Sequence, residues 1–150
     1  MNEFMSRAVE LAVDNVKQGG QPFGAVLVKG NVAVSEGVNE LHLEYDISGH
    51  AELLAMRKAQ KDYQTNDLSE FSMYASGEPC PMCLTAMYFA GLKEVYYCAT
   101  IEETAEAGLG KSREIYEDLR KVKQERKLQM VRMPLQEGQP NPMKIWGERN

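Results

Sequence analysis

Two cysteines stand three apart in Ser76–Met87, SGEPCPMCLTAM, flanked and separated by Pro79 and Pro81. If Cys80 sits at the start of a helix, Cys83 follows one turn later on the same face. The helix dipole and the unpaired N–H groups of that first turn favour thiolates. Two thiolates placed this way can grip one metal ion, but zinc takes three or four protein ligands. The chain has two histidines, His42 and His50. His50 opens the segment His50-Ala51-Glu52, which begins another helical pattern. Where two helix N-termini meet at one edge of a sheet, His50, Cys80 and Cys83 supply three ligands and leave the fourth position open. An open position on zinc is the mark of a catalytic site, because it holds and activates water. Glu52 is then a carboxylate near the metal that can move protons.

Other readings of the same residues remain. A structural zinc site needs a fourth ligand, and only Cys98 or His42 is left. Cys98 lies in VYYCAT and reads as a buried strand thiol; His42 lies in NELHLEYD and reads as an exposed loop residue. A redox pair uses Cys80 and Cys83 alone and gives His50 and Glu52 no part. The catalytic zinc reading, a Zn2+ held by His50, Cys80 and Cys83, is the one that uses all four residues.

The elements that must position these groups follow from hydrophobic periodicity. Residues 2–17 read as an amphipathic helix with an apolar stripe of Phe4, Ala8, Leu11, Ala12 and Val16. FGAVLVKGNVAVSEGV reads as a hairpin turning at Lys29-Gly30-Asn31. HAELLAMRKAQ reads as a helix, FSMYAS as a strand, PCPMCLTAMYFAG as a helix closed by Gly91, and EVYYCAT as a strand. IEETAEAGLGK reads as a loop, SREIYEDLRKV as a helix, KLQMVRMP as a strand and NPMKIWGERN as a short last helix. Strands alternating with helices predict an α/β layered domain with a mixed sheet, its last three strands joined by helical crossovers. No internal repeat, linker or domain boundary is visible, so residues 1–150 read as one domain.

Composition narrows the function class. The 150 residues are 43% apolar and 26% charged, ordinary values for a globular chain. No apolar run is long enough to span a membrane. The acidic amphipathic N-terminus does not read as a signal peptide. Three cysteines make no disulfide framework, which predicts a cytoplasmic protein. The net charge of −5 argues against a nucleic-acid partner, since phosphate contacts need basic surface. The densest basic segment, Arg120–Lys127, alternates with acidic and polar residues and reads as a solvated helix face. A small-molecule substrate is expected.

His-x-Glu followed by Pro-Cys-x-x-Cys is the signature of zinc nucleobase deaminases. With HAE at 50–52 and PCPMC at 79–83, the sequence resembles the cytidine and deoxycytidylate deaminase superfamily. PFGAVLVK at 22–29, EPCPMC at 78–83 and AEAG at 105–108 look like bacterial guanine deaminases. The resemblance implies a three-layer α/β/α sandwich with a central mixed five-stranded sheet, one zinc per site, and a homodimer that is domain-swapped in some members. It makes His50, Cys80 and Cys83 the zinc ligands and Glu52 the proton shuttle. It gives Asn39 a hydrogen bond to the substrate base, Phe23 a packing contact with it, and the Ala51 backbone N–H a place facing the pocket. The implied reaction is hydrolytic deamination of a small aminated base, guanine to xanthine and ammonia. Another aminopurine, cytosine, a nucleoside, a triazine or transfer RNA adenosine are alternative substrates. Outside the enzymes, the alternative is a non-catalytic zinc-containing binding module, against which the presence of Glu52 speaks.

Two departures bear on substrate choice. Lys111, in AEAGLGKS, occupies the place of an expected aspartate, and a lysine there favours an electron-rich or anionic substrate. The sequence ends at WGERN, short of a tail that in guanine deaminases carries an aromatic over the site.

Overall fold

Asn2 starts the first helix by accepting the amide protons of Phe4 and Met5 on its side chain, at 2.8 and 3.2 Å. Helix α1 runs Glu3–Lys17. The computed structural model describes residues 2–149, which group into two units dividing between Glu117 and Asp118.

In the first unit, strands β1 (Gly24–Lys29) and β2 (Val32–Val38) form the expected hairpin. Helix α2 (Ala51–Tyr63), strand β3 (Phe71–Gly77), helix α3 (Pro81–Ala90) and strand β4 (Glu94–Ala99) follow. The sheet order is β2-β1-β3-β4. β1 is antiparallel to both neighbours, and β3 is parallel to β4 through the α3 crossover. The sheet is therefore mixed, as expected.

Alternation along β1 explains the layers. Ala25 and Leu27 pack with Met73 and Ala75 against Ala51, Ala55, Met56 and Ala59 of α2 and Cys83, Met87 and Ala90 of α3. Val26 and Val28 point the other way, against Met5 and Ala8 of α1. Helices thus cover both faces of the sheet, and nearly the whole of β1 is buried, as a central strand covered on both sides should be. Burying a side chain such as Leu27 or Met73 stabilises the fold by ~1.5–3 kcal/mol each.

Some expectations need correction. The described sheet has four strands, not five. Segment 127–134 is not a strand: its residues are exposed and have no ladder partner among the described residues. A run of Leu128, Met130, Val131 and Met133 has strand composition, but a strand exists only against a neighbour. Residues 101–106 are not loop but helix α4 (Ile101–Glu106), opened by a capping box between Thr100 and Glu103. The buried face of α1 is Met5, Ala8, Ala12 and Asn15, whereas Val16 is half exposed. Cys98 is exposed on β4 rather than buried. Helix α5 (Lys111–Leu119) is close to expectation.

The second unit, read by itself, holds a 3₁₀ turn at Lys123–Glu125 and helix α6 (Pro142–Arg149). Among the described residues no helix is long and apolar enough to cross a membrane.

Candidate active site

Two helix starts build the core of the site. His50 is the N-cap of α2, yet its side chain makes no capping bond, so the ring is free to turn elsewhere. Gly37 of β2 makes this placement possible. A Cβ there would lie 2.2 Å from the Ala51 carbonyl oxygen, so only glycine lets the first turn of α2 sit so close to the sheet. Cys80 is the N-cap of α3, with Pro81 in the first turn. Its sulfur accepts the Cys83 amide proton at 3.4 Å.

The three side chains converge. His50 Nδ1 lies 3.5 Å from Cys80 Sγ and 3.4 Å from Cys83 Sγ. The three donor atoms all lie within 4.8 Å of one another. Ligand bonds of about 2.3 Å to sulfur and 2.0–2.1 Å to nitrogen place tetrahedral nitrogen and sulfur neighbours roughly 3.5 Å apart, so zinc fits this donor set. Cys80 ionises well below the ordinary thiol range, because the Cys83 thiol and the His50 ring both hydrogen-bond its sulfur. Cys83 shifts the opposite way, because its S–H donates to the Cys80 sulfur and burial opposes a second charge. His50 is pushed up, first by its contact with Cys80.

Glu52, in the first turn of α2, is buried and faces the same cavity. Burial pushes its carboxyl up to about 7, and the negative charge of Cys80 adds to the shift. A carboxyl poised there can give or take a proton near neutral pH.

The cavity has a volume of about 460 Å³, of a size for a small organic ligand. His50, Glu52, Cys80, Asn39, Phe23 and Lys111 all line it. Ala51 is fully buried in the apolar core and is not among the residues that line the cavity. The sulfur of Cys83 belongs to the group that could hold a metal ion, though Cys83 itself is wholly buried. His42 is exposed, as expected.

Three residues were not singled out in the sequence. Gln21 lines the cavity and accepts a hydrogen bond from Asn39 Nδ2 at 3.3 Å. Glu78 also lines it and accepts from the Ile101 amide at 3.1 Å, fastening α4 to the end of β3. Tyr116 of α5 donates to the Pro79 carbonyl at 2.6 Å. Only Glu78 had a local signal, its place directly before Pro-Cys; the other two act across long sequence separations.

Comparisons with known proteins agree with this geometry. Residues 1–99 match the family model for the cytidine and deoxycytidylate deaminase zinc-binding region. The chain is 41% identical over 144 residues to a guanine deaminase of Bacillus subtilis, covering 95% of this chain and 91% of that one. The crystal structure of a Bacillus subtilis guanine deaminase superposes with a TM-score of 0.89 at 40% identity, over 99% of this chain and 95% of that one. A guanine deaminase structure from Nitrosomonas europaea gives a TM-score of 0.66 at 27% identity, over 70% of this chain and 62% of that one. A transfer RNA-specific adenosine deaminase of Haemophilus influenzae is 33% identical over 107 residues, 71% of this chain and 62% of that one. The fold and site define a zinc-dependent deaminase class. This chain belongs to the cytidine and deoxycytidylate deaminase family.

Proposed function

We propose that the chain is a hydrolytic deaminase that converts guanine to xanthine and ammonia. The observation that carries this is a buried Glu52 lining one cavity with His50 and Cys80, whose donor atoms converge with that of Cys83. The similarity to guanine deaminase along nearly the whole chain supports the choice of base.

His50, Cys80 and Cys83 would hold the zinc. When bound, zinc supplies Lewis-acid activation of the attacking water. The chain's own residues do the rest. Glu52 accepts the proton lost as the water oxygen bonds to the ring carbon that bears the amine. It passes that proton to the adjacent ring nitrogen. Glu52 then takes the remaining proton from the oxygen now bonded to that carbon and delivers it to the amine as the carbon–nitrogen bond breaks. Ammonia departs and an oxo group remains. Phe23 packs on the base, Asn39 hydrogen-bonds it, and the first turn of α2 offers the Ala51 N–H. The Lys111 side chain contacts the substrate from α5 and biases choice toward electron-rich or anionic bases. Its support is its place in the cavity wall.

The protein acts as a homodimer. The segment 127–134 has strand composition but no ladder partner among the described residues, while β4 is an edge strand of the described sheet with Tyr96 and Tyr97 exposed. Exchange of that segment between copies would cover both. Mass measurement in solution tests the dimer.

The activity is tested by ammonia release from aminated purines, pyrimidines, pterins and triazines with the zinc-loaded protein. Guanine should give the highest kcat/KM. No ammonia from guanine, with another base consumed, overturns the assignment.

A further inference from the structure

We propose that Gln21 is a specificity-determining residue that, with Asn39, offers only N–H donors to the bound base and so selects a carbonyl over an amine there. The inference deepens the nucleobase deaminase reading and rests on it.

The orientation of both amides follows from one backbone group. The Leu41 N–H can only donate, so the atom it meets at 3.0 Å must be the Asn39 carbonyl oxygen, Oδ1. That places Asn39 Nδ2 on the opposite side, where it meets Gln21 Oε1 at 3.3 Å. Gln21 is thereby fixed as the acceptor of the pair. Its Nε2 is the remaining end and meets no acceptor among the described residues. Asn39 Nδ2 keeps a second hydrogen. Both residues line the cavity.

The pair is also held rigidly. The buried amide of Asn15 donates to the Gln21 carbonyl at 2.8 Å and to the Asn39 carbonyl at 2.9 Å. One side chain of α1 therefore sets the spacing of the two loops that carry the pair. This explains why a polar residue occupies the buried face of that helix.

A ligand that fills the cavity shuts these N–H groups away from water, and an N–H without an acceptor is costly. The ligand must therefore bring neighbouring acceptors. Guanine has two on one edge, the carbonyl oxygen at position 6 and the ring nitrogen at position 7. A purine with an amine at position 6 sets N–H against N–H and is disfavoured.

The test separates binding from turnover. 2-Aminopurine is fluorescent and lacks a group at position 6. Its binding to zinc-loaded Glu52→Gln protein, and its displacement by guanine and by 2,6-diaminopurine, give three affinities without reaction. The Glu52→Gln protein should prefer guanine. Adding Gln21→Met should lower the preference of guanine over 2,6-diaminopurine about tenfold, the size of one net hydrogen bond, with zinc content unchanged. Adding Gln21→Glu, which supplies an acceptor, should shift preference toward 2,6-diaminopurine. An unchanged ratio in both variants overturns the proposal, as does binding of none of the three purines. Turnover by the wild-type protein is scored apart. A shifted ratio without guanine turnover supports Gln21 and refutes the activity; guanine turnover with a fixed ratio does the reverse.

Discussion

The Tyr116 hydroxyl donates to the carbonyl oxygen of Pro79 at 2.6 Å, bridging α5 to the residue directly before Cys80. The turn that aims the Cys80 sulfur at His50 is thus braced by a helix that lies 37 residues later in the chain. Pro79 has no amide proton of its own, and its carbonyl precedes the N-cap, outside the hydrogen bonds of α3. Tyr116 fills that need.

Tyr116→Phe should therefore loosen the cysteine turn without emptying the cavity. The lost hydrogen bond should cost about 1 kcal/mol in thermal unfolding. Zinc should also pass to a competing chelator several-fold faster than from the wild-type protein. Unchanged zinc release would show that the brace is dispensable.

Glu52→Gln keeps the shape of the side chain and removes its capacity to carry a proton. Deamination should fall by roughly 10²–10⁴-fold while zinc content stays stoichiometric. Wild-type turnover in this variant would remove Glu52 from the mechanism.

Removing a ligand acts differently. Cys83→Ala leaves two of the three donor atoms, so elemental analysis should find zinc well below one per chain. Stripping zinc from the wild-type protein should lower its melting temperature, because a metal bound only by the folded state stabilises it. A full zinc complement in Cys83→Ala would refute the ligand assignment.

Lys111 sits at the start of α5 and lines the cavity. Lys111→Asp should raise kcat/KM for guanine relative to bases that carry an anionic group. An identical substrate profile would mean that the side chain takes no part in selection.

A pH prediction comes from the other side of the sheet. Arg7 of α1 donates to both oxygens of Glu36 on β2, at 2.7 and 3.1 Å. This hydrogen bonding holds the Glu36 carboxyl below its ordinary range. A depressed folded-state value means that the unfolded chain binds more protons as pH falls. The contribution is present above the ordinary value of 4.5 and is lost as pH drops through the folded-state value. The pair is about 40% exposed, so screening keeps it below about 1 kcal/mol. Glu36→Gln should lower stability at pH 6–7 and converge with the wild type in acid. A gap that does not narrow with falling pH would contradict this origin.

The grouping of the candidate site residues was legible in the sequence because its parts are local. Cys80-Pro81-Met82-Cys83 encodes a helix start with two thiols on one face, and His50-Ala51-Glu52 a second start with a carboxylate one step inside. Periodicity likewise encodes α1, the β1–β2 hairpin and the helix between β3 and β4. Even α4 carried a local sign, the Thr100–Glu103 capping box, although the acidic run around it read as loop. Tertiary structure alone decided the rest. Whether Leu128–Met133 forms a strand depends on a neighbouring edge, which composition cannot supply. Gln21 and Asn39 meet across 18 residues, and Tyr116 and Pro79 across 37. Asn15, outside the expected apolar stripe, joins the buried face of α1 because two loop carbonyls converge beside it. A residue's type and spacing determine which bonds it can make. Which partner it meets is set by how the helices pack on the two faces of the sheet, and that packing gives this protein its cavity and the donors that line it.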